Sequence, residues 1–209
     1  MTSSLIDTYN AEIQNQLEKK YDYLQLGFFE GSILFIGQNP GMPFNKETKI
    51  NTEKMRSNEI SYKDLIKNSI IGRFLSDVID FDSISFTNIV KIPTIDNAIP
   101  DDSQIAEFLP ITLKQIEIFK PTTVVCLGKF AGSFFGLTEF YKKKKIDNIE
   151  YVLFPHPSFL LRTGNPDENK TRMRIALSQI KIINAWDFDN VIYLLYRENG
   201  KKIIKTISQ

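Results

Sequence analysis

The 209-residue chain is 42% hydrophobic and 24% charged, which suits one globular domain with room for a sizeable core. Its net charge is +1, so a surface for a polyanion must be local rather than global. Cys126 is the only cysteine and His156 the only histidine. An internal disulfide and a cysteine-ligated zinc or iron–sulfur site are therefore excluded, and any step that needs an imidazole must use His156.

The opening "MTSSLIDTYNAEIQNQLEKK" has no apolar signal core and no long apolar run follows, so the expectation is a soluble cytoplasmic protein with no membrane partner. Residues 3–20 read as a helix, with Leu5, Ile6, Tyr9, Ile13 and Leu17 at helical spacing. "SILFIG" (32–37) reads as a strand buried on both faces. The Lys/Asn-rich stretch 42–58 reads as a loop, and 62–80 as a helix despite Gly72. A strand is expected over 83–90 and a Pro/Asp-broken loop over 93–102. A helix follows over 103–119, with Ser103 as N-cap and Pro121 beyond its end.

"TTVVCLG" (122–128) is a third strand, followed by a short helix from Lys129 to Phe135. "KKKK" (142–145) reads as a solvated turn, with a DNA-backbone contact as the other possibility. "IEYVLF" (149–154) is a fourth strand. Residues 168–184 read as a helix with Met173, Ala176, Leu177 and Ile180 inward. The tail holds two β runs about Asn199-Gly200, the pattern of a hairpin. Alternating strands and helices imply a parallel sheet covered on both faces. Ligands of such sheets bind beyond the carboxyl ends of the strands.

Those ends carry Gln38-Asn39-Pro40-Gly41, Asn88, Gly128-Lys129 and Pro155-His156-Pro157-Ser158. Pro40 and Pro157 push Asn39 and His156 into extended conformations, and Gly41 permits a turn or a ligand's close approach. One histidine and no acidic pair make no metal site. No phosphate-binding glycine loop and no G-x-S-x-G elbow follows a strand. Amides, backbone N–H groups and one imidazole suit a flat, neutral, polar ligand such as a nucleobase, and an anion that develops on it.

These motifs resemble the uracil-DNA glycosylase superfamily. "GQNPG" (37–41) is similar to its first motif and "HPSFLLR" (156–162) to its last. "FTNIVKIP" (86–93) and "IFKPTTVVCLGKFA" (118–131) resemble the segments between, in order across about residues 30–185. The resemblance implies a three-layer α/β/α sandwich with a central four-stranded parallel sheet. That unit would span 1–187, with a C-terminal β-hairpin appendage over 188–209. The hairpin could close the sheet edge, pair with a second subunit or contact DNA. The implied activity is base flipping and hydrolysis of the N-glycosidic bond by a monomeric, monofunctional enzyme of base-excision repair. Its implied partner is DNA containing uracil or another damaged base. No cofactor is implied, because the cysteines of the family's iron–sulfur branch are absent.

Carried onto this sequence, the family's roles make His156 a hydrogen-bond donor to the leaving base's oxygen and Asn39 the holder of the attacking water. An amide can position water but not deprotonate it. Asn88 would read the Watson–Crick edge, Phe44 would stack on the flipped base, and the main chain at Gln38 would complete the pocket. Gly41 stands where the strictest uracil enzymes have Tyr, which leaves room for a 5-substituted base. Pro157 and Ser158 would press on the DNA backbone, and Leu160, Leu161 and Arg162 would form a wedge, with simple packing of the leucines as the other reading. Lys91, Lys129 and Arg162 could meet phosphates. Asn39 and Asn88 could also be turn formers without a ligand. The competing function is a DNA- or nucleobase-binding module without turnover.

Overall fold

The computed structural model describes residues 2–21, 23–41, 61–95, 98–162, 165–179, 192–198 and 201–207. The loop expected over 42–58, and with it Phe44, lies outside them. In chain order the elements are α1 (Thr2–Leu17), β1 (Ile33–Gly37), α2 (Tyr62–Asn68), α3 (Ile70–Ser76) and β2 (Ile84–Asn88). Then come α4 (Asp102–Phe119), β3 (Thr123–Leu127), α5 (Lys129–Ser133), β4 (Lys143–Ile146) and β5 (Ile149–Phe154). The last are α6 (Pro157–Arg162), α7 (Pro166–Gln179), β6 (Ile192–Glu198) and β7 (Lys201–Ile207).

The main sheet has the order β2-β1-β3-β5-β4, and β1, β2, β3 and β5 run parallel. Every residue of β1, β2 and β3 is buried. Their alternate side chains enter two separate cores, as a period of two demands. Ile33, Phe35, Phe86, Val125 and Phe154 join Phe74, Leu75, Leu160 and Met173, from the layer of α3, α6 and α7. Leu34, Ile36, Val124, Cys126 and Leu153 join Ile6, Phe108, Ile116 and Ala131, from the layer of α1, α4 and α5. This is the expected three-layer sandwich.

Three details differ from the sequence reading. The sheet has a fifth strand: "KKKK" contributes to β4, which pairs antiparallel with β5 rather than forming only a solvated turn. Asp147 and Asn148, at φ 47° and 68°, make the tight connection, since a two-residue hairpin favours left-handed backbone at both positions. Lysines protect such an edge from pairing with another chain. The helix expected over 62–80 is two helices, because Ser69 accepts the Gly72 N–H and caps the second. A Cβ on Gly72 would strike the Ile66 carbonyl, so only glycine allows the bend. Asp101, not Ser103, is the N-cap of α4, because Asp101 and Gln104 close a reciprocal capping box. For the last helix, Met173 is buried as expected; Ala176, Leu177 and Ile180 lie outside the described side chains.

The tail forms the antiparallel pair β6 and β7 with Glu198 opposite Lys201. That register leaves residues 199 and 200 as the connection, and they lie outside the described residues.

Candidate active site

β1 and β3 are neighbours, and the chain after β1 goes to α2 and α3 on one face of the sheet while the chain after β3 goes to α5 on the other. The crevice at such a switch point opens at the carboxyl ends of the strands. Gly37, the last residue of β1, is opposite Asn88, the last of β2. The pairing continues one step further, through Ile89 N–H to the Gly37 carbonyl and Val90 N–H to the Gln38 carbonyl. Gln38 and Asn39 thereby start from a fixed point on the sheet.

The turn after β1 is held by its own amides. Gln38 Nε2 donates to Asn39 Oδ1 at 2.9 Å and to the Ala98 carbonyl at 3.2 Å. Asn39 Nδ2 donates to the Pro40 carbonyl at 2.9 Å and to Thr94 Oγ1 at 3.2 Å. The Thr94 hydroxyl in turn donates to the Ala98 carbonyl at 2.7 Å. These bonds fix the Asn39 carboxamide and leave Oδ1 capacity for a further donor. Gly41 is exposed just beyond.

Asn88 is 2% exposed, and its Nδ2 donates to the Tyr62 hydroxyl at 3.0 Å. A Cβ on Gly37 would collide with Asn88 Oδ1, so glycine at the end of β1 makes room for this amide. Burial pushes the Tyr62 phenol upward, which keeps its proton in place at neutral pH.

His156 follows β5 and is half-buried. Gly128, at φ +90°, has its missing side chain facing the His156 Cβ at 3.5 Å. The Ser158 N–H donates to Nδ1 at 3.3 Å, and the Ser158 hydroxyl lies 2.6 Å from the same atom. A backbone N–H can only donate, so Nδ1 is the acceptor and the neutral ring carries its proton on Nε2. Burial, aided by the positive Arg162, pushes the His156 pKa down to about 4, so the ring is neutral at pH 7.

Three DNA-contact expectations are corrected. Lys91 is fully buried and cannot reach a phosphate. Its Nζ donates to Thr87 Oγ1 at 2.7 Å, the Asn88 carbonyl at 2.5 Å and Gln115 Oε1 at 2.8 Å. Leu160 is 5% exposed and packs in the first core, with Leu161 partly buried against it. The cause is the start of α6 at Pro157, which turns Leu160 inward and Phe159, at 59% exposure, outward. Of the other expected DNA-contact residues, Lys129 and Arg162 stay at the surface, whereas Pro157 does not present itself to a DNA backbone. Lys129 is exposed, with Nζ 5.9 Å from the Phe140 ring centre. Arg162 is exposed and donates to the Ser158 carbonyl at 3.0 Å. Pro157 is buried and Ser158 half-buried.

The sequence reading missed Tyr62, Thr94 and Phe159. Nothing marks Tyr62 locally, because its partner Asn88 is 26 positions away. Thr94 was legible only as a loop residue after Pro93, and Phe159 as one apolar residue in a run of three. Among the described residues no group of three His, Cys, Asp or Glu side chains could hold a metal, and no helix is long and apolar enough to cross a membrane.

The family model of the uracil DNA glycosylase superfamily matches residues 26–180. The chain belongs to that superfamily. The match spans β1 through α7 and includes all the strand ends that carry Asn39, Asn88, Gly128 and His156. No curated protein matches the sequence.

Proposed function

We propose that the protein is a DNA glycosylase that flips uracil or a related damaged base out of DNA and hydrolyses its N-glycosidic bond. The observation that supports this most is the state of His156. Its Nδ1 is satisfied by Ser158, which leaves Nε2–H as a donor on a neutral ring that, like Asn39 and Asn88, stands at the carboxyl end of a parallel strand. A donor held in place and aimed at the base oxygen stabilises negative charge as it grows there.

The bond from C1′ to the base nitrogen breaks with both electrons going to the base. His156 Nε2–H donates to the base oxygen on which the charge collects. Asn39 Oδ1 accepts from a water that attacks C1′ from the opposite face, and the water's surplus proton leaves to solvent. Asn88 hydrogen-bonds the base edge, and Gly41 leaves space at the pyrimidine 5-position. Phe44 is proposed to stack on the base. Lys129 and Arg162 supply the exposed charge for phosphates. Phe159 takes the wedge role once expected of Leu160, since an apolar side chain must be exposed to enter a base stack. We read 1–187 as the glycosylase unit of a monomer and 188–209 as an appended hairpin.

A second reading, binding without turnover, draws on Asn39. Its amide cannot take a proton from water, and it already holds three bonds, two within its own turn and one to Thr94. The test is incubation with single- and double-stranded oligonucleotides carrying U, T opposite G, hypoxanthine or C, then alkaline cleavage of abasic sites. Breaks made by wild type and lost in His156→Ala establish the glycosylase and name its base. Binding without breaks on every substrate leaves the binding module.

A further inference from the structure

We propose that Lys91 is a positioning residue: together with Thr112 it clamps the main-chain carbonyl of Asn88 and so fixes where the Asn88 carboxamide meets the base. This rests on the reading of Asn88 as the residue that contacts the base.

Lys91 has no exposed surface, and none of its three partners is a carboxylate. Burying a cation without an anion is costly, and burial pushes the Lys91 pKa well below its ordinary value. Desolvation alone therefore disfavours a charged amine here. What holds it is its set of partners. The Thr87 hydroxyl donates to the Leu26 carbonyl at 3.0 Å, which leaves Oγ1 to accept from Lys91. Gln115 Nε2 donates to Asn10 Oδ1 and to the Leu26 carbonyl, both at 2.8 Å, which turns its Oε1 toward Lys91. The third acceptor is the Asn88 carbonyl, and three acceptors match the three N–H groups of an ammonium.

Thr112 Oγ1 lies 3.0 Å from the same carbonyl, the nearest of three acceptors for its one proton, with the Ile89 and Phe108 carbonyls at 3.2 and 3.4 Å. Asn88 ends β2, an edge strand, and its carbonyl is gripped from α4 and from the turn that carries Lys91. Through Gln115 and Asn10 the grip reaches α1. The base-reading side chain thus leaves a backbone unit anchored to two helices, and small changes in that anchor would move the amide relative to the base.

The test is a double-mutant cycle between Lys91→Met and Asn88→Ala, read as single-turnover excision from a uracil-containing single strand, with DNA affinity measured alongside. Lys91→Met is expected to slow wild type at least about tenfold while DNA affinity stays within about twofold. In the Asn88→Ala background it is expected to cost less than about twofold, because the residue it positions is gone. Equal losses in both backgrounds would mean a general structural role and would overturn the proposal. If Lys91→Met does not fold, Thr112→Val takes its place in the cycle, with the same required non-additivity. If wild type shows no turnover, the glycosylase reading fails on its own, and the clamp is read from the Asn88 side-chain amide resonance, assigned by its loss in Asn88→Ala. A shifted or broadened signal in Lys91→Met or Thr112→Val supports the clamp; an unmoved signal overturns it.

Discussion

The Ser158 N–H donates to His156 Nδ1 at 3.3 Å, and the Ser158 hydroxyl lies 2.6 Å from the same nitrogen. Two contacts from one residue set the tautomer of the only histidine in the chain. They differ in how they can be removed. Ser158→Ala deletes the hydroxyl but keeps the N–H, so the tautomer survives with a looser ring. Excision should fall about threefold to tenfold, the worth of one neutral hydrogen bond. His156→Ala removes the proposed donor to the base and should cost about 100-fold or more. Single-turnover rates on one uracil oligonucleotide compare the two, and equal losses would mean that Ser158 does more than hold the ring.

The lowered pKa of His156 sets a pH window. Its folded value of about 4 lies below the ordinary 6.5. The unfolded chain therefore binds a proton at this site before the folded one does. The contribution to stability is fully present above pH 6.5 and is lost as pH falls through about 4. Excision should stay level from pH 8 to about 5 and fall toward pH 4, where the ring charges and the Ser158 N–H loses its acceptor. Urea midpoints of wild type should drop more between pH 6.5 and 4 than those of His156→Gln. An acid limb near 6.5 would contradict the buried, neutral ring.

The parts of this site that lie within a few residues of a strand end were legible in the sequence. Proline beside Asn39 and His156 constrains the backbone locally, glycine at 37, 41 and 128 admits turns and close approach, and an apolar run fixes where each strand stops. Partners joined only by the fold were not legible. Tyr62 meets Asn88 and Thr94 meets Asn39 through tertiary packing, which no local pattern encodes. Lys91 misled for a related reason. A lysine reads as surface charge until Thr87, Gln115 and the Asn88 carbonyl are brought around it. β4 was missed because lysines depress strand propensity, while its pairing with β5 and the turn at Asp147-Asn148 decide the outcome.

Asn39→Asp should trade stability for rate. Asn39 Nδ2 donates to the Pro40 carbonyl, and a carboxylate would set oxygen against oxygen there. Thr94 cannot readily compensate, because its hydroxyl is committed to Ala98. The expected cost is about 1–3 kcal/mol of unfolding free energy in urea. The same carboxylate can accept a proton from the attacking water, so excision by the folded variant should rise. A variant as stable as wild type would show that the turn does not depend on the Asn39 donor.

Tyr62→Phe removes the partner of Asn88 Nδ2 but keeps the ring, which sits 6.4 Å from Phe28, centre to centre. The apolar packing is preserved, but a buried amide N–H is left unpaired, so the unfolding free energy should fall by about 1–3 kcal/mol. The Asn88 amide, freed at one end, should bind the base in more than one orientation. Uracil excision should slow about threefold to tenfold, the equivalent of about 1 kcal/mol. An unchanged rate would mean that Gly37 and the clamped main chain are enough to orient Asn88.

Phe159 and Leu160 are adjacent in sequence and opposite in environment, at 59% and 5% exposure. Leu160 packs with Leu75, Phe154 and Met173 in the first core, so Leu160→Ala should cost about 2–5 kcal/mol in urea unfolding, chiefly by leaving a cavity. Phe159→Ala should change stability by about 0.5 kcal/mol or less. Its effect should fall on substrate form instead. A duplex must be opened before its base can flip, whereas a single strand is already open. Excision from duplex DNA should therefore drop several-fold more than excision from a single strand of the same sequence. Equal losses on both would remove Phe159 from the wedge and assign it to general DNA contact.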